Sequence, residues 1–324
     1  MRLLFAGDVM LGRLVNRVLE RKPPEFPWGD TLGLIKSADV SICNLECVVS
    51  DRGRPWSTTP KAFHFRTDSK NVECLKAAGF DAVSLANNHS LDYEYDAAYD
   101  TLDILDSVGI AHAGFGRNFD EASRIAYFER GGFRLALVAF TDNEPGWEAR
   151  DGVPGVFYSP IDLEDPRALR LFEKIGEAKR EADIVIASAH WGPNWGYRPV
   201  ASHRPFGEAM VEAGADFVFG HSCHVFQGIE VYKGSPIMFG AGDFVDDYAV
   251  DEVERNDESF IFAFDWEGYV KGIRLYPTII TDFHAELAPY PRAELIAGKM
   301  KTLAGEFGLE SEWIEDEGCL SIRP

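Results

Sequence analysis

Apolar and polar residues follow one repeated order between residues 2 and 243. A short apolar run ends in a polar cluster, and a segment with helical periodicity usually follows. This order predicts strands that alternate with helices. The predicted strands are "RLLFAGD" at the N-terminus and the segments 39–46, 81–89, 133–143, 183–192, 216–224 and 235–243.

The helices between these strands carry start and stop signals. "NVECLKAAGF" is predicted to end at Gly79, and "DAAYDTLDILDSVG" is predicted to end at Gly109. The segment "DLEDPRALRLFEKIGEAKREA" has Asp165 near its start, where an acidic residue caps a helix well. "RPFGEAMVEAG" predicts a further helix between the strands at 183–192 and 216–224.

The C-terminal third has a different pattern. Residues 259–277 predict an antiparallel hairpin that turns at Glu267 and Gly268, and residues 291–306 predict a closing helix. No Pro- or Ser-rich linker divides the chain, so we expect one domain over residues 1–324. Strands that alternate with helices and end in a hairpin predict a layered α/β fold with a mixed sheet or two sheets.

Composition and charge restrict the partners. The chain has 324 residues and a net charge of −21. This charge repels phosphates at long range, so we expect neither a nucleic acid nor an anionic membrane as partner. A small anionic substrate stays compatible, because a bound metal ion outweighs the global field locally. Five cysteines without a paired pattern predict reduced thiols in a cytoplasmic protein, and the short N-terminal apolar run predicts no membrane anchor in this chain.

Residues that bind metals stand at the ends of six of the apolar runs. They are Asp8, Asn44 with Glu46, Asn88 with His89, His190, His221 with His224, and Asp243. Ligand sites of α/β folds gather outside the carboxyl ends of strands, so we expect these side chains to converge. Imidazole, carboxylate and amide groups without a thiolate pair predict a hydrolytic site for one or two divalent ions, with Mn, Fe, Zn and Mg as candidates.

Each of these residues also has a structural explanation when it is taken alone. Asp8 suits a turn or a helix cap, Glu46 suits the surface, and His190 suits a packed, hydrogen-bonded position. The pair of His221 and His224 is harder to explain in this way, because two buried imidazoles at one strand end both need partners. The coincidence at successive strand ends therefore favours the metal site.

Other chemistries have less support in the sequence. There is no G-x-S-x-G elbow, no Walker-type loop, and no G-x-G-x-x-G that follows a strand and opens a helix. Cys223, which lies between His221 and His224, is an alternative nucleophile with an imidazole base. No nearby segment predicts an oxyanion hole to accompany it.

The motifs together resemble the CapA family, which is associated with poly-γ-glutamate and capsule synthesis. They are "FAGDVMLGR", "NLE", "AGFDAVSLANNHSLDY", "DTLDIL", "HWGP", "GADFVFGHSCHVFQGIE" and "GAGDFVDDY", all between residues 2 and 248. That family belongs to the calcineurin-like metallophosphoesterase superfamily. The resemblance implies a four-layer α/β/β/α sandwich with two mixed β-sheets, which the hairpin and closing helix of residues 249–324 complete.

The resemblance also implies roles for single residues. The metal ligands it implies are Asp8, Glu46 as the bridging carboxylate, Asn88, His190, His221 and His224. It implies that His89 is a catalytic histidine outside the metal shell. Met10 stands where the superfamily usually has a histidine ligand, and Ser222 and Cys223 replace a common His-Pro pair. Asp243 stands where relatives often carry asparagine, as an additional ligand or as an anchor of its loop.

Three functions are compatible with this sequence. The first is a metal-dependent hydrolase, most directly a phosphoesterase, in which metal-activated water attacks and His89 donates a proton or positions the substrate. The second is a metal-dependent enzyme that acts on a peptide or on poly-γ-glutamate, by amide hydrolysis or by Cα proton abstraction and epimerisation, with Glu46 or His89 as base. The third is a non-catalytic accessory protein of polymer synthesis, which Met10 favours.

Few residues of the sequence indicate the substrate. We expect a small anionic or peptide-like molecule, and the candidate contacts are Arg13, Arg198 and Trp191. A surface or structural role explains either arginine better, and core or loop packing explains Trp191 equally well. The sequence leaves the oligomeric state open.

Overall fold

The computed structural model describes the whole chain, residues 1–324. Its α-helices are α1 Arg13–Leu19, α2 Leu32–Lys36, α3 Val72–Ala78, α4 Glu94–Val108, α5 Phe119–Ala122, α6 Pro166–Glu181, α7 His203–Ala213 and α8 Arg292–Gly305. Short 3₁₀ helices lie at Phe26–Thr31, Ser69–Asn71, Pro145–Trp147 and Glu315–Glu317. None of these helices has the length and apolar character that a membrane span needs.

The strands form two large sheets and two small ribbons. They are β1 Arg2–Val9, β2 Val40–Leu45, β3 Val48–Val49, β4 Arg66–Thr67, β5 Ala82–Ser84, β6 Ala111–Ala113, β7 Phe115–Gly116, β8 Ala126–Arg130, β9 Phe133–Thr141, β10 Gly155–Val156, β11 Ile184–His190, β12 Phe217–His221, β13 Ile229–Tyr232, β14 Ser235–Met238, β15 Asp243–Val245, β16 Glu258–Trp266, β17 Val270–Thr281, β18 His284–Leu287, β19 Ser311–Ile314 and β20 Cys319–Ile322.

Both large sheets are mixed. The first has the order β19-β20-β17-β16-β1-β2-β5-β6, with β15 beside β1 and β18 beside β17. Its strands β1, β2, β5 and β6 are parallel, whereas β16 runs antiparallel to β1. The second sheet has the order β13-β14-β12-β11-β9-β8, with a parallel centre. The ribbons pair β3 with β4 and β7 with β10.

The two sheets face each other and helices cover their outer faces. Strand β1 is apolar on both sides, as a strand between two packed layers must be. Its Leu4 belongs to a cluster with Leu75 of α3 and Leu102 of α4. Its Phe5 points the other way, where its ring lies 5.2 Å from that of Phe219 in the second sheet. Helices α6 and α7 pack on the far face of that second sheet. These layers confirm the predicted α/β/β/α sandwich.

Most predicted elements are present at the expected positions. Helices α3 and α4 end at Gly79 and Gly109, and Asp165 caps α6 by accepting the backbone N–H of Arg167 at 2.8 Å. The predicted hairpin is the antiparallel pair β16 and β17. The predicted strand at 81–89 is shorter, because only Ala82–Ser84 pair with neighbours and the following residues leave the sheet as a loop.

The segment 235–243 is not one strand, and this correction matters for the site. Residues Ser235–Met238 form β14 in the second sheet, whereas Asp243–Val245 form β15 in the first sheet. The crossing brings Gly242 against Gly7, where an added Cβ would lie 1.9 Å from the Gly242 carbonyl oxygen. Glycine is therefore required at residue 7 for the close approach. The crossing sets Asp243 in register beside Asp8.

Candidate metal centre and adjoining pocket

The carboxyl ends of β1, β2, β11 and β12 meet at one edge of the sandwich. Two groups of buried side chains come together there, and within each group the possible ligand atoms lie within 4.8 Å of one another. The first group is Asp8, His190 and His221, and the second is Asp8, Glu46 and Asp243. Asp8 belongs to both groups, so two adjacent cation positions would share its carboxylate.

Neighbouring residues fix the Asp8 carboxylate. The side-chain amide of Asn44 donates to its Oδ1 at 2.8 Å, and the backbone N–H of Ser222 donates to its Oδ2 at 3.3 Å. Asn44 is itself oriented, because its Oδ1 accepts from the amide of Asn87 at 3.0 Å. Asn44 thus contacts Asp8 directly and holds it in place.

The two strand-end histidines face each other. The Nδ1 atoms of His190 and His221 lie 2.9 Å apart, and the Nε2 of His221 lies 2.7 Å from Ser188 Oγ. The Nε2 of His190 lies 3.0 Å from Asn88 Oδ1. Burial lowers the pKa of His221 to about 3, and burial followed by the neighbouring His221 lowers the pKa of His190 well below its usual range. Neutral imidazoles are the form that binds metals.

Two carboxylates of the centre have an oxygen without a hydrogen-bond partner. Glu46 Oε2 and Asp243 Oδ2 are buried and accept no hydrogen bond. Burial raises the pKa of Asp8 to about 7, and burial followed by the charge of Asp8 raises the pKa of Glu46 well above its usual range. The pKa of Asp243 rises through burial and through the neighbouring Asp246. Buried acids without a counter-charge are costly, so this donor set fits a divalent cation.

Met10 and His224 take different positions around the centre. Met10 is fully buried and its Sδ accepts the backbone N–H of Gly12 at 3.0 Å, so it offers no nitrogen ligand. His224 lies beyond the second group, with Nδ1 3.0 Å from Asp243 Oδ1 and its ring 5.4 Å from that of Trp195. Asp243 is therefore the carboxylate that lies between Asp8 and His224.

His89 lies beside the centre in a buried hydrogen-bonded pair. Its Nδ1 is 2.5 Å from Asp92 Oδ2, and its Nε2 is 3.8 Å from Glu46 Oε1. The ring of Phe65 stacks on the imidazole with a centroid distance of 3.8 Å. Because the carboxylate accepts at Nδ1, the Nε2 atom is the one that faces the centre. Burial, followed by the charge of Lys61, lowers the pKa of His89 well below its usual range.

Lys61 connects the loop before β4 to this pair. Its Nζ donates to the carbonyl oxygen of Asn88 at 2.6 Å, and it lies 3.4 Å from Asp92 and 3.3 Å from Glu144. Its side chain is only 8 % exposed. Neither Lys61 nor Asp92 was among the predicted site residues. The spacing of His89 and Asp92, three residues apart, was the available signal for the pair.

A cavity of about 560 Å³ adjoins the centre. Its lining includes Arg13, Lys61, Phe63, Phe65, Asn88, His89, Glu144, Trp195, His224 and Tyr248. Of the three predicted substrate contacts, only Arg13 lines this cavity. The nucleophile alternative is also disfavoured, because Cys223 is buried and burial raises the pKa of its thiol far above the usual range.

The other two predicted contacts, Trp191 and Arg198, lie outside this cavity. Trp191 directly follows β11, and its side chain is buried away from the cavity. Its indole donates to the carbonyl oxygen of Phe239 at 2.8 Å within the core under α7. Arg198 forms an ion pair with Glu306 at 2.6 Å and lines a separate surface depression.

Solved structures with this fold come from other proteins. A novel phosphatase from Mycoplasma pneumoniae aligns with a TM-score of 0.55 and 15 % identity, over 86 % of this chain and 93 % of that chain. A hypothetical protein from Thermus thermophilus aligns with a TM-score of 0.51 and 18 % identity, over 86 % of this chain and 98 % of that chain. At these identities the likeness establishes the fold alone.

Sequence relatives point to one family. The PGA biosynthesis protein CapA of Bacillus subtilis is 30 % identical over 322 residues, which is 98 % of this chain and 81 % of that protein. A probable polyglutamine synthesis accessory protein of Mycobacterium tuberculosis is 32 % identical over 283 residues, which is 76 % of this chain and 74 % of that protein. The family model described as "Bacterial capsule synthesis protein PGA_cap" matches residues 2–248. The chain therefore belongs to the bacterial capsule synthesis PGA_cap family.

Proposed function

We propose that this protein is a metal-dependent hydrolase that cleaves phosphate esters. The observation that carries the proposal is the pair of buried ligand groups that share Asp8, with uncompensated acids at Glu46 and Asp243. The centre opens on a cavity large enough for a small substrate. His89, whose Nδ1 is paired with Asp92, lines that cavity beside the centre.

The two buried ligand groups supply the side chains that would hold the ions. Asp8, His190 and His221 would hold one cation, with Asn88 adjacent, and the second would lie among Asp8, Glu46 and Asp243, with His224 adjacent. Bound divalent ions supply a Lewis acid, which lowers the pKa of water and offsets negative charge on the reacting group. Asn44 would keep the Asp8 carboxylate in its orientation.

His89 has the position of a general acid or base. Asp92 fixes its Nδ1 proton, so proton exchange with the substrate would take place at Nε2. The stacked ring of Phe65 limits rotation of the imidazole and keeps bulk water from one of its faces. Arg13 lines the cavity and would contact an anionic group of the substrate.

A substrate panel tests this function. The protein is loaded with Mn, Fe, Zn or Mg in turn and assayed on phosphate monoesters and diesters, and in parallel on α-linked and γ-linked glutamyl peptides. We expect metal-dependent release of phosphate, which His89→Asn lowers at least a hundredfold without loss of metal. Activity of His89→Asn equal to that of the unmodified protein would remove His89 from the chemical step. A fully loaded protein that cleaves no phosphate ester would overturn the proposal.

A role in polymer synthesis is the second candidate, and the names of the relatives favour it. Cleavage of γ-linked peptides by the same metal-loaded protein would support an enzyme that acts on polyglutamate. Full metal occupancy without turnover of any ester or peptide would support an accessory role. These two outcomes differ from each other and from phosphoesterase activity in the same panel.

A further inference from the structure

The cavity beside the metal centre has an aromatic lining. The rings of His89, Phe65, Tyr248 and His224 form a continuous chain of contacts, and Trp195 extends it, with centroid separations between 3.8 and 5.7 Å. These five side chains come from five separate loops and strand ends. The cavity therefore offers ring faces and edges over much of its surface.

Two aromatic side chains at this cavity are exposed rather than packed. Phe63 is 59 % exposed and Trp195 is 44 % exposed, and neither belongs to a hydrophobic core cluster. Both line the cavity, although they lie in different loops, one before β4 and one after β11. Large exposed apolar side chains that face a pocket are typical of ligand contacts.

The charge of the cavity limits what it can bind. Arg13 and Lys61 are its only lining residues with a fixed positive charge. Each already faces carboxylates, since Arg13 lies 3.3 Å from Asp247 and Lys61 lies near Asp92 and Glu144. The protein as a whole carries a net charge of −21. A chain of many carboxylates would therefore be repelled, whereas one anionic group fits.

We infer that the cavity binds the organic part of the substrate as an aromatic or heteroaromatic ring. The ring would contact Phe63 and Trp195, and Arg13 would bind a single anionic group. Arg13 is already held over the ring of Phe63, with 5.5 Å from its guanidinium carbon to the centroid. The inference rests on the proposed phosphoesterase function, and it specifies the substrate class as an aryl or heteroaryl phosphate ester.

Phosphonates test this inference without turnover. The metal-loaded full chain is titrated calorimetrically with phenylphosphonate and with methylphosphonate, and then with an oligomer of γ-linked glutamate. The same titrations are made for Phe63→Ala and Trp195→Ala. Tyr269→Ala is the matched control, because Tyr269 is 62 % exposed at the hairpin turn and does not line the cavity.

We expect phenylphosphonate to bind at least about tenfold more tightly than methylphosphonate. Each cavity variant should reduce that preference about two- to tenfold, as the loss of one aromatic contact does, and Tyr269→Ala should not change it. Equal binding of the two phosphonates, a preference unchanged in both cavity variants, or tighter binding of the glutamate oligomer would overturn the inference. Tighter binding of phenylphosphonate than of methylphosphonate, without hydrolysis of any phosphate ester, would reject only the proposed function. Hydrolysis without a ring preference would reject this inference alone.

Discussion

Replacing Asp243 with asparagine should change stability in opposite directions with and without metal. Asp243 is fully buried, its Oδ2 has no partner, and its ligand oxygen lies within 4.8 Å of those of Asp8 and Glu46. Two unit charges at 4.8 Å repel by about 3.5 kcal/mol at an effective dielectric constant of 20. Partial protonation relieves part of this repulsion, because the pKa values of all three acids are raised.

We therefore expect Asp243→Asn to stabilise the metal-free protein by roughly 1–3 kcal/mol, which raises Tm by about 1.5–4.5 °C for a chain of this size. The asparagine oxygen still accepts from His224, so the change removes charge with little change in shape. Metal at a hundred times its Kd should stabilise the unmodified protein by about 2.7 kcal/mol, which raises Tm by about 4 °C. In Asp243→Asn the rise in Tm that metal causes should be at most half as large.

Calorimetric melting curves at pH 8, with EDTA and with excess Mn, measure both effects. Glu173→Gln is the matched control, because it removes one negative charge from the exposed face of α6 without touching the centre. A lower Tm for metal-free Asp243→Asn together with an unchanged metal-induced rise would refute this account of the carboxylate cluster. The same pattern in the control would show that net charge alone is responsible.

Three further changes have distinct expected outcomes. Asp92→Asn should lower kcat on phosphate esters about a hundredfold with metal content unchanged, because it disturbs the proton at His89 Nδ1, and equal kcat values would contradict this. Lys61→Met should lower the free energy of unfolding in urea by about 3 kcal/mol, because Asp92 loses its buried cation, and Lys61→Arg should recover part of the loss. Burial lowers the pKa of His203 to about 4, so its contribution to stability is present above pH 6.5 and is lost as the pH falls toward 4. Between pH 7 and pH 4, the free energy of unfolding measured in urea should therefore fall by about 3 kcal/mol less in His203→Phe than in the unmodified protein. Equal decreases in the two proteins would contradict this.

The sequence pattern was sufficient to predict those site residues that directly follow a buried apolar run. Asp8, His190 and His221 follow directly from buried runs, and the register of parallel strands brings such ends together. The ends of helices could also be predicted from the local sequence, as at Asp165 before α6 and Gly109 after α4. These features depend on neighbouring residues in the chain, so a single sequence reveals them.

Other parts of the site depend on contacts between distant segments. Lys61 reaches Asp92 and Glu144 only because three loops close over the centre, and no local pattern marks that closure. Asp243 was expected at the end of a strand, but the chain changes sheets after β14 and sets it at the start of β15. Trp191 follows His190 in the chain but lies in the core under α7, because proximity in sequence does not determine the direction of a side chain.

The metal content of the purified protein shows whether the residues at the strand ends bind divalent cations. Protein prepared without chelators or a histidine tag is analysed by plasma mass spectrometry, beside Asp8→Ala and His221→Ala. We expect one to two equivalents of a divalent transition metal, with a large loss in both variants. The loss should be greater in Asp8→Ala, because the Asp8 carboxylate belongs to both ligand groups. Protein that contains no metal, even after incubation with Mn or Zn, would contradict this expectation.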